Sequence, residues 1–492
     1  MAISFANIPS GIRVPLFYAE VDASKANLGS NNLKTLLVGQ MTAGKAEAGK
    51  PVLVTGDSQG KELFGRGSQL ALMNSAFRAN NSVGEVWAIP VAEPSGNAAS
   101  GTFKITGTAT AAGTVTVYVG SDRVQCGVSL DDAATAVATA LAAAINAKPD
   151  LPVTANAETS NVTLNAKNKG LCGNDIKLAV NLQGYAAGEE LPEGIAIEVT
   201  AMAGGTGAPA LESIESAMGE EPYDFIAVPW ADSATLGVFT KIMQDKTGRW
   251  SPTRQVYGHV YSCLRGEVSA LVNLGKTLND QHLTVVGIES DVASGSAEVL
   301  GAFVGQCASA IEIDPARPLQ TLELVAITAA PAGKRFTLTE KQTLLTNGIA
   351  TCYTQSGYMR IERAITTYQT NAFGDADVSY LDSETLHALA YIIRNLKSVI
   401  TSKYPRHKLA NDGTKYGPGQ AIVTPSVIRG EIIAQYQRME ETGIVENSDE
   451  FKKALIVERD TKDPNRINVL LPPDLVNGLR VFAVLAQFRL QY

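Results

Sequence analysis

No run of apolar residues in this chain is long enough to cross a bilayer, so a membrane-spanning helix is not expected. The opening MAISFANIPSGIRVP has no basic stretch followed by an apolar core and does not read as a secretion signal. Cysteine is sparse. Cys126, Cys172, Cys263, Cys307 and Cys352 form no CxxC pair, which argues against a zinc knuckle or a dithiol redox centre. An odd, scattered set fits folding in a reducing cytoplasm. The four histidines, His259, His282, His387 and His407, stand at no metal-ligand spacing such as HExxH, and no GxSxG elbow occurs. Aromatics are few, at 6%. The net charge of -8 is spread without blocks, and the missing basic stripe argues against a nucleic-acid binder.

One near miss concerns a nucleotide site. Gly39 to Ala46 follows a predicted strand and matches GxxxxGK, but Ala46 stands where a P-loop needs Ser or Thr for magnesium. The next stretch, with Gly49 and Pro51, does not continue as a helix, so the phosphate would have no helix N-terminus to sit on. The sequence therefore reads as a glycine-rich surface loop, and no cofactor or metal is expected.

What is present is a globular composition, 45% hydrophobic and 18% charged over 492 residues, enough for about three domains. Residues 1–28 read as an extended N-terminal arm: Ile12, Val14, Leu16 and Tyr18 alternate with other residues, and Pro9 and Pro15 forbid a helix. Residues 29–94 and 206–368 alternate strand and helix, which predicts a central, discontinuous, doubly wound α/β domain. Residues 95–205 interrupt it with Thr/Val-rich strands and one Ala-rich helix that Ser129 should cap, an inserted α+β module. Within 64–80, Leu70, Met73 and Phe77 mark one face of a helix. A further helix is expected with Thr339 as its N-cap and Asn347-Gly348 as its stop, followed by a hairpin turning at Gln355-Ser356-Gly357. Asp224 and Asp232 read as helix-cap or loop residues rather than catalytic ones.

Residues 369–477 read as a C-terminal α+β domain. Its strongest helix carries Leu386, Leu389, Ala390, Ile393, Leu396 and Ile400 at helical spacing, with His387 packed or half-exposed beside them; His407 falls in a charged loop. A second helix should be capped by Thr424, with Pro425 in its first turn and Gly443 closing it. Residues 478–492 alternate at period two through Phe482, Val484, Ala486, Phe488, Leu490 and Tyr492, a strand with one fully buried face. Such a strand either completes the chain's own sheet or pairs with another copy.

Several long blocks carry a resemblance. RAITTYQTNAFGDADVSYLDSETLHALAYIIRNLKSVITSKYPRHKLANDG, GQAIVTPSVIRGEIIAQYQRMEETGIVENSDEFKKALIVERD and DPNRINVLLPPDLVNGLRVFAVLAQFRLQY resemble the contractile-tail sheath proteins of bacteriophage Mu and its relatives. So do IPSGIRVPLFYAEVDASKA, KNKGLCGNDI and ITAAPAGKRFTLTEKQTLLTNGI, and the similarity is weakest in the inserted module. The resemblance implies a non-enzymatic homopolymer of stacked rings around a tail tube, within a virion, assembled in the host cytoplasm. It shortens to drive the tube through a bacterial envelope. Its implied partners are further copies of itself, the tube protein, and baseplate and terminator proteins, with neither nucleic acid nor membrane. It further implies that both terminal arms add strands to neighbouring subunits, making Ile12, Val14, Leu16, Tyr18, Phe482, Val484, Ala486, Phe488 and Leu490 inter-subunit contacts. Arg406, Lys408, Arg459 and Arg466, in two charged loops, are candidate lattice or tube contacts. The sheath of a tailocin or another injection system is the nearest alternative reading, and an enzyme with a degenerate P-loop the most distant.

Overall fold

The computed structural model describes residues 33–490. The expected N-terminal strand with Ile12, Val14, Leu16 and Tyr18 lies outside the described residues, as do Gln491 and Tyr492. The first described strand, β1 (Lys34–Gln40), is buried along nearly its whole length. Leu36 and Val38 enter one hydrophobic cluster and Leu37 another, because successive side chains of a strand point to opposite faces. Next come β2 (Val52–Val54), α1 (Asp57–Phe64), α2 (Gln69–Asn80) and β3 (Glu85–Val91). The helix expected over 64–80 is broken: Gly65 and Gly67 take φ of +86° and +79°, and Ser68 restarts the chain by accepting a 3.2 Å bond from the Ala71 amide. Leu70, Met73 and Phe77 are buried on one face of α2.

The chain then leaves the central sheet. It forms β4 (Ala98–Gly107), β5 (Gly113–Val119), β6 (Asp122–Val128), α3 (Ala134–Asn146), β7 (Val153–Glu158), β8 (Asn161–Lys169), β9 (Leu178–Val180) and β10 (Ile195–Ala203). Two small antiparallel sheets, ordered β10-β4-β8-β7 and β6-β5-β9, share one core with α3. Ser129 does not cap α3. Its amide donates to Asp132 Oδ2 (2.7 Å), Asp131 turns left-handed at φ +65°, and the helix starts after Ala133 without a side-chain acceptor. Local Ser-Asp hydrogen bonding offers the backbone a turn instead of a longer helix.

The return to the central sheet runs through α4 (Ile214–Met218), β11 (Phe225–Ala227), α5 (Ser233–Met243), β12 (His259–Arg265), α6 (Val268–Gly275), β13 (Leu283–Ile288), α7 (Ser296–Ile313), β14 (Glu323–Thr328), α8 (Leu338–Thr346), β15 (Ile349–Gln355) and β16 (Tyr358–Arg363). The sheet order is β14-β16-β15-β13-β12-β11-β1-β3-β2. Pairing is parallel from β15 to β3 and antiparallel at both ends. Helices α2 and α7 cover one face, and α5, α6 and α8 the other, the doubly wound arrangement that parallel strands require. Asp232 caps α5 by accepting from the Thr235 amide (2.9 Å). The cap of α8 is Thr337, not Thr339: Thr337 and Glu340 close a reciprocal capping box that fixes the first turn two residues earlier.

The last elements are α9 (Ser383–Lys403), β17 (Lys408–Leu409), β18 (Ile422–Val423), α10 (Pro425–Glu441), α11 (Ser448–Ala454), β19 (Ile456–Arg459) and β20 (Ile467–Leu470). Their core joins Ile392 of α9 to Ile428, Ile432 and Tyr436 of α10 and Phe451 of α11, whose ring stacks on Tyr436 at 3.6 Å. Thr424 holds the cap position of α10 without a side-chain cap bond. Asp412 supplies the acceptor instead, to the Ser426 amide (3.1 Å).

Candidate assembly interface

Helix α9 belongs to two cores. Toward its C-terminus Ile392, Leu396 and Ile400 pack with α10, while its first turns press on the amino ends of the central strands. There His387 is enclosed: its Nε2 pairs with Tyr261 Oη at 2.9 Å, and its ring stacks on Phe225 at 4.7 Å. Burial holds the His387 pKa down at about 3, and pushes that of the neighbouring His259 well below its ordinary value. Two turns on, Arg394 pairs with Asp224 and donates to the Tyr257 carbonyl (3.2 Å). Asp224 lies in the bend before β11 and is not a helix cap. It is a buried anion just before β11 that also accepts from the Lys34 amide (3.0 Å), and burial raises its pKa despite the guanidinium beside it.

The chain end is built oppositely. Residues 478–490 form no strand among the described residues. Of the two readings of this stretch, the one in which it completes the chain's own sheet finds no strand here. Phe482 and Phe488 are each 82% exposed, and Val481, Val484, Leu485 and Leu490 are exposed with them. The reason is geometric, because a strand needs a partner edge and none lies against this segment in the described chain. Its root, by contrast, is fastened. Arg480 forms ion pairs with Glu384 and Asp382 (3.3 Å to the latter) at the start of α9, and Nη1 donates to Gln320 Oε1 (3.1 Å). Gln320 Nε2 in turn donates to the Leu479 carbonyl (3.2 Å), and Gly478 lies where a Cβ would come within 2.5 Å of Pro318. Sequence reading missed Arg480. The clue was a lone cation at the head of an apolar stretch, with two carboxylates at a helix start to receive it.

Ahead of this tail in the chain, β19 and β20 form a two-stranded antiparallel pair. Each keeps one edge without a strand partner among the described residues. Ile456, Val469 and Leu470 expose apolar side chains there. Two strands alone are marginal in water, so such a pair is completed by further strands or by packing. The charged-loop residues divide. Arg406 is exposed after α9, and Lys408 reaches Gln420 Oε1 (3.2 Å). Arg459 donates to the Pro464 carbonyl (2.6 Å) and Asn411 Oδ1 (2.8 Å), which draws both loops together and commits its own fork inward. Arg466 is exposed and donates to Asn468 Oδ1 (2.7 Å). His407 is exposed against Tyr404.

The glycine-rich loop after β1 is occupied by the chain itself. The amides of Thr42, Lys45 and Ala46 donate to the carbonyls of Phe64, Glu62 and Leu63 at the C-terminal end of α1, so they do not form a phosphate cradle. At the carboxyl ends of the strands a cavity of about 400 Å³ separates the central sheet from the inserted module. Asp175 of the module fills the anion position there, accepting from Arg265 Nε (2.7 Å) and from the Ser296 amide at the start of α7 (2.6 Å). Among the described residues no three His, Cys, Asp or Glu side chains are placed to hold a metal ion, and no helix is long and apolar enough to cross a membrane.

Family models match three parts of the chain: the phage tail sheath protein β-sandwich domain at 94–196, its central domain at 204–367, and its C-terminal domain at 375–489. A tail sheath protein of a Mu-like prophage of Haemophilus influenzae is 40% identical, across 99% of this chain and all of its own length. The crystal structure of a sheath tail protein from Desulfitobacterium hafniense shares the fold at 13% identity, with a TM-score of 0.50, covering 95% of this chain and 97% of its own. One from Listeria innocua covers 90% of this chain and 92% of its own, with 13% identity and a TM-score of 0.46. The chain belongs to the phage tail sheath protein family, the structural subunits of contractile tails.

Proposed function

We propose that copies of this chain polymerise into a helical sheath around a tail tube, linked by exchange of terminal strands, and that the polymer shortens without nucleotide or other catalysis. The observation that carries this reading is the apolar tail: ten residues, 481–490, exposed and unpaired beyond a fixed root. Ten extended residues reach roughly 33 Å, enough to enter a neighbouring subunit. Phe482, Val484, Ala486, Phe488 and Leu490 would form the face buried on the acceptor, whose open edges are those of β19 and β20. Ile12, Val14, Leu16 and Tyr18 would do the same from the other end. A head-to-tail contact that does not close on itself generates a tube. Main-chain hydrogen bonds in the exchanged strands would keep subunits attached while the folded bodies move. Arg406, Lys408 and Arg466 are the outward cations for tube or lattice contacts, and Arg459 supports them. The tube, baseplate and terminator proteins are the further partners, in a virion assembled in the host cytoplasm.

Electron microscopy of the full chain and of a version ending at Gly478, each with the tube protein, tests this. Tubes are expected from the first and soluble subunits from the second. Tubes from both would remove the tail from the linkage. Assembly and contraction unaltered by charge reversal at Arg406 and Lys408 would remove those two residues from the contacts.

A further inference from the structure

Between β16 and α9 the chain makes a short projecting loop, residues 370–378, whose shape is fixed internally. Asn371 Oδ1 accepts from the amides of Phe373 (2.9 Å) and Asp375 (3.0 Å), its own amide donates to the Asp375 carbonyl (2.9 Å), and Thr370 bridges to Ala376. Tyr368 Oη donates to Asp377 (2.7 Å) and its ring meets Tyr380 edge-on. The product of this bracing is an aromatic side chain held out into solvent, Phe373, 91% exposed, with Asp375 beside it. A braced loop presenting an aromatic tip has the anatomy of an interface anchor, because little entropy remains to be lost on binding.

At the far end of the same sheet lies a groove of about 450 Å³, between β14, the β15–β16 turn and the module loop at Leu182. Val325 and Tyr358 are its exposed apolar walls, 43% and 55% accessible, with buried Ile327 and exposed Pro331 also lining it. Arg335 lines it and Lys334 adjoins it. Among the described residues neither cation has an ion-pair partner, whereas Glu323 of the groove is neutralised by Arg360 (2.6 Å).

Loop and groove cannot meet within one subunit. The loop is tied to the amino end of the parallel strands, with Gln369 bonded to Asn279 (2.7 Å) and Thr367 to the Leu283 carbonyl (2.8 Å). The groove lies past the carboxyl end of β15, where the turn at Ser356 and Gly357 leads into Tyr358. We propose that the 370–378 loop of one copy seats Phe373 in the β14 groove of the next, with Asp375 facing Lys334 and Arg335. The contact rests on the polymeric reading above and adds a second, arm-independent bond between subunits. Its two halves lie at opposite ends of one sheet, so the contact is heterologous and joins copies head to tail, into a ring or an open helix.

The test uses full-length protein assembled with the tube protein. Ala372→Cys and Val325→Cys placed together should give a ladder of disulfide-linked subunits on oxidation of tubes, and neither alone should. Tubes without a ladder, or a cross-link to the tube protein instead, would overturn the contact. Phe373→Ala should raise the concentration needed for assembly roughly tenfold. Lys334→Glu and Asp375→Lys should each weaken assembly and together restore it. Unchanged assembly in Phe373→Ala, or no mutual rescue, would also overturn it. If the unsubstituted chain forms no tubes, the polymeric reading fails first and this contact fails with it.

Discussion

Helix α9 and the chain end invert the usual distribution of side chains. Where α9 meets the central sheet, the subunit encloses two imidazoles, a phenol and an Arg–Asp pair. Where the chain ends, it leaves two phenylalanines and several aliphatic residues in solvent. Apolar contact is non-directional and forgives small shifts, whereas a buried polar constellation accepts only one arrangement. The subunit therefore uses directional bonds where two of its own cores must keep one orientation. At the chain end it leaves apolar surface exposed beyond a fixed root. Monomeric proteins rarely expose contiguous apolar patches of this extent, and such patches mark interaction sites.

Three sets of substitutions, ranked by their effect on subunit stability, probe the polar interior and the apolar tail. Asp224→Ala leaves the partly buried Arg394 without its ion-pair partner and should cost about 3 kcal/mol in denaturant titration. Pairing Asp224→Asn with Arg394→Met should recover much of that loss. If the double variant is as unstable as the single, charge pairing does not govern the α9 contact.

Glu298 comes next. Burial raises its carboxyl pKa from 4.5 to about 7, at the start of α7 where it accepts from the Gly295 amide (2.6 Å). A raised carboxyl pKa favours the fold in the protonated form; the contribution is complete below pH 4.5 and is lost as pH rises through about 7. Glu298→Gln keeps the acceptor and removes the titration, so the variant should gain about 1–3 kcal/mol relative to the parent between pH 4.5 and 7.5. Parallel stability profiles would contradict this. The smallest stability effect belongs to Phe482→Asp with Phe488→Asp, which should change the subunit by about 0.5 kcal/mol or less while abolishing tube formation. A large loss of subunit stability would mean that the tail packs within its own chain.

Much of this contrast was visible in the linear chain. The parallel strands declare themselves as short apolar runs such as KTLLVG and HLTVVG between amphipathic helices, and α9 by its apolar spacing. The tail stood out by apolar residues at period two. What stayed hidden depends on partners distant in sequence. Asp224 looks like any acidic residue near a strand until Arg394, 170 positions later, lies against it. Arg480 reads as an interruption of the terminal strand until Asp382 and Glu384 are placed below it. Helix starts misread at Ser129 and Thr339 failed for a local reason. Several side chains there can accept a backbone bond, and the winner is decided by which turn closes first: Asp132 on Ser129 in one case, Glu340 on Thr337 in the other.

The double membership of α9 has a mechanical consequence. A helix of 21 residues is a rod of roughly 30 Å, and here it is clamped in two cores. Two bodies that share one rod are coupled through it, so torque applied to the C-terminal core would reach the central sheet through α9. In a series of stiff and compliant springs, extension collects in the compliant ones. Were the ten residues beyond Arg480 to link neighbouring subunits as proposed, they would be the compliant element, and displacement between subunits would collect along the chain end.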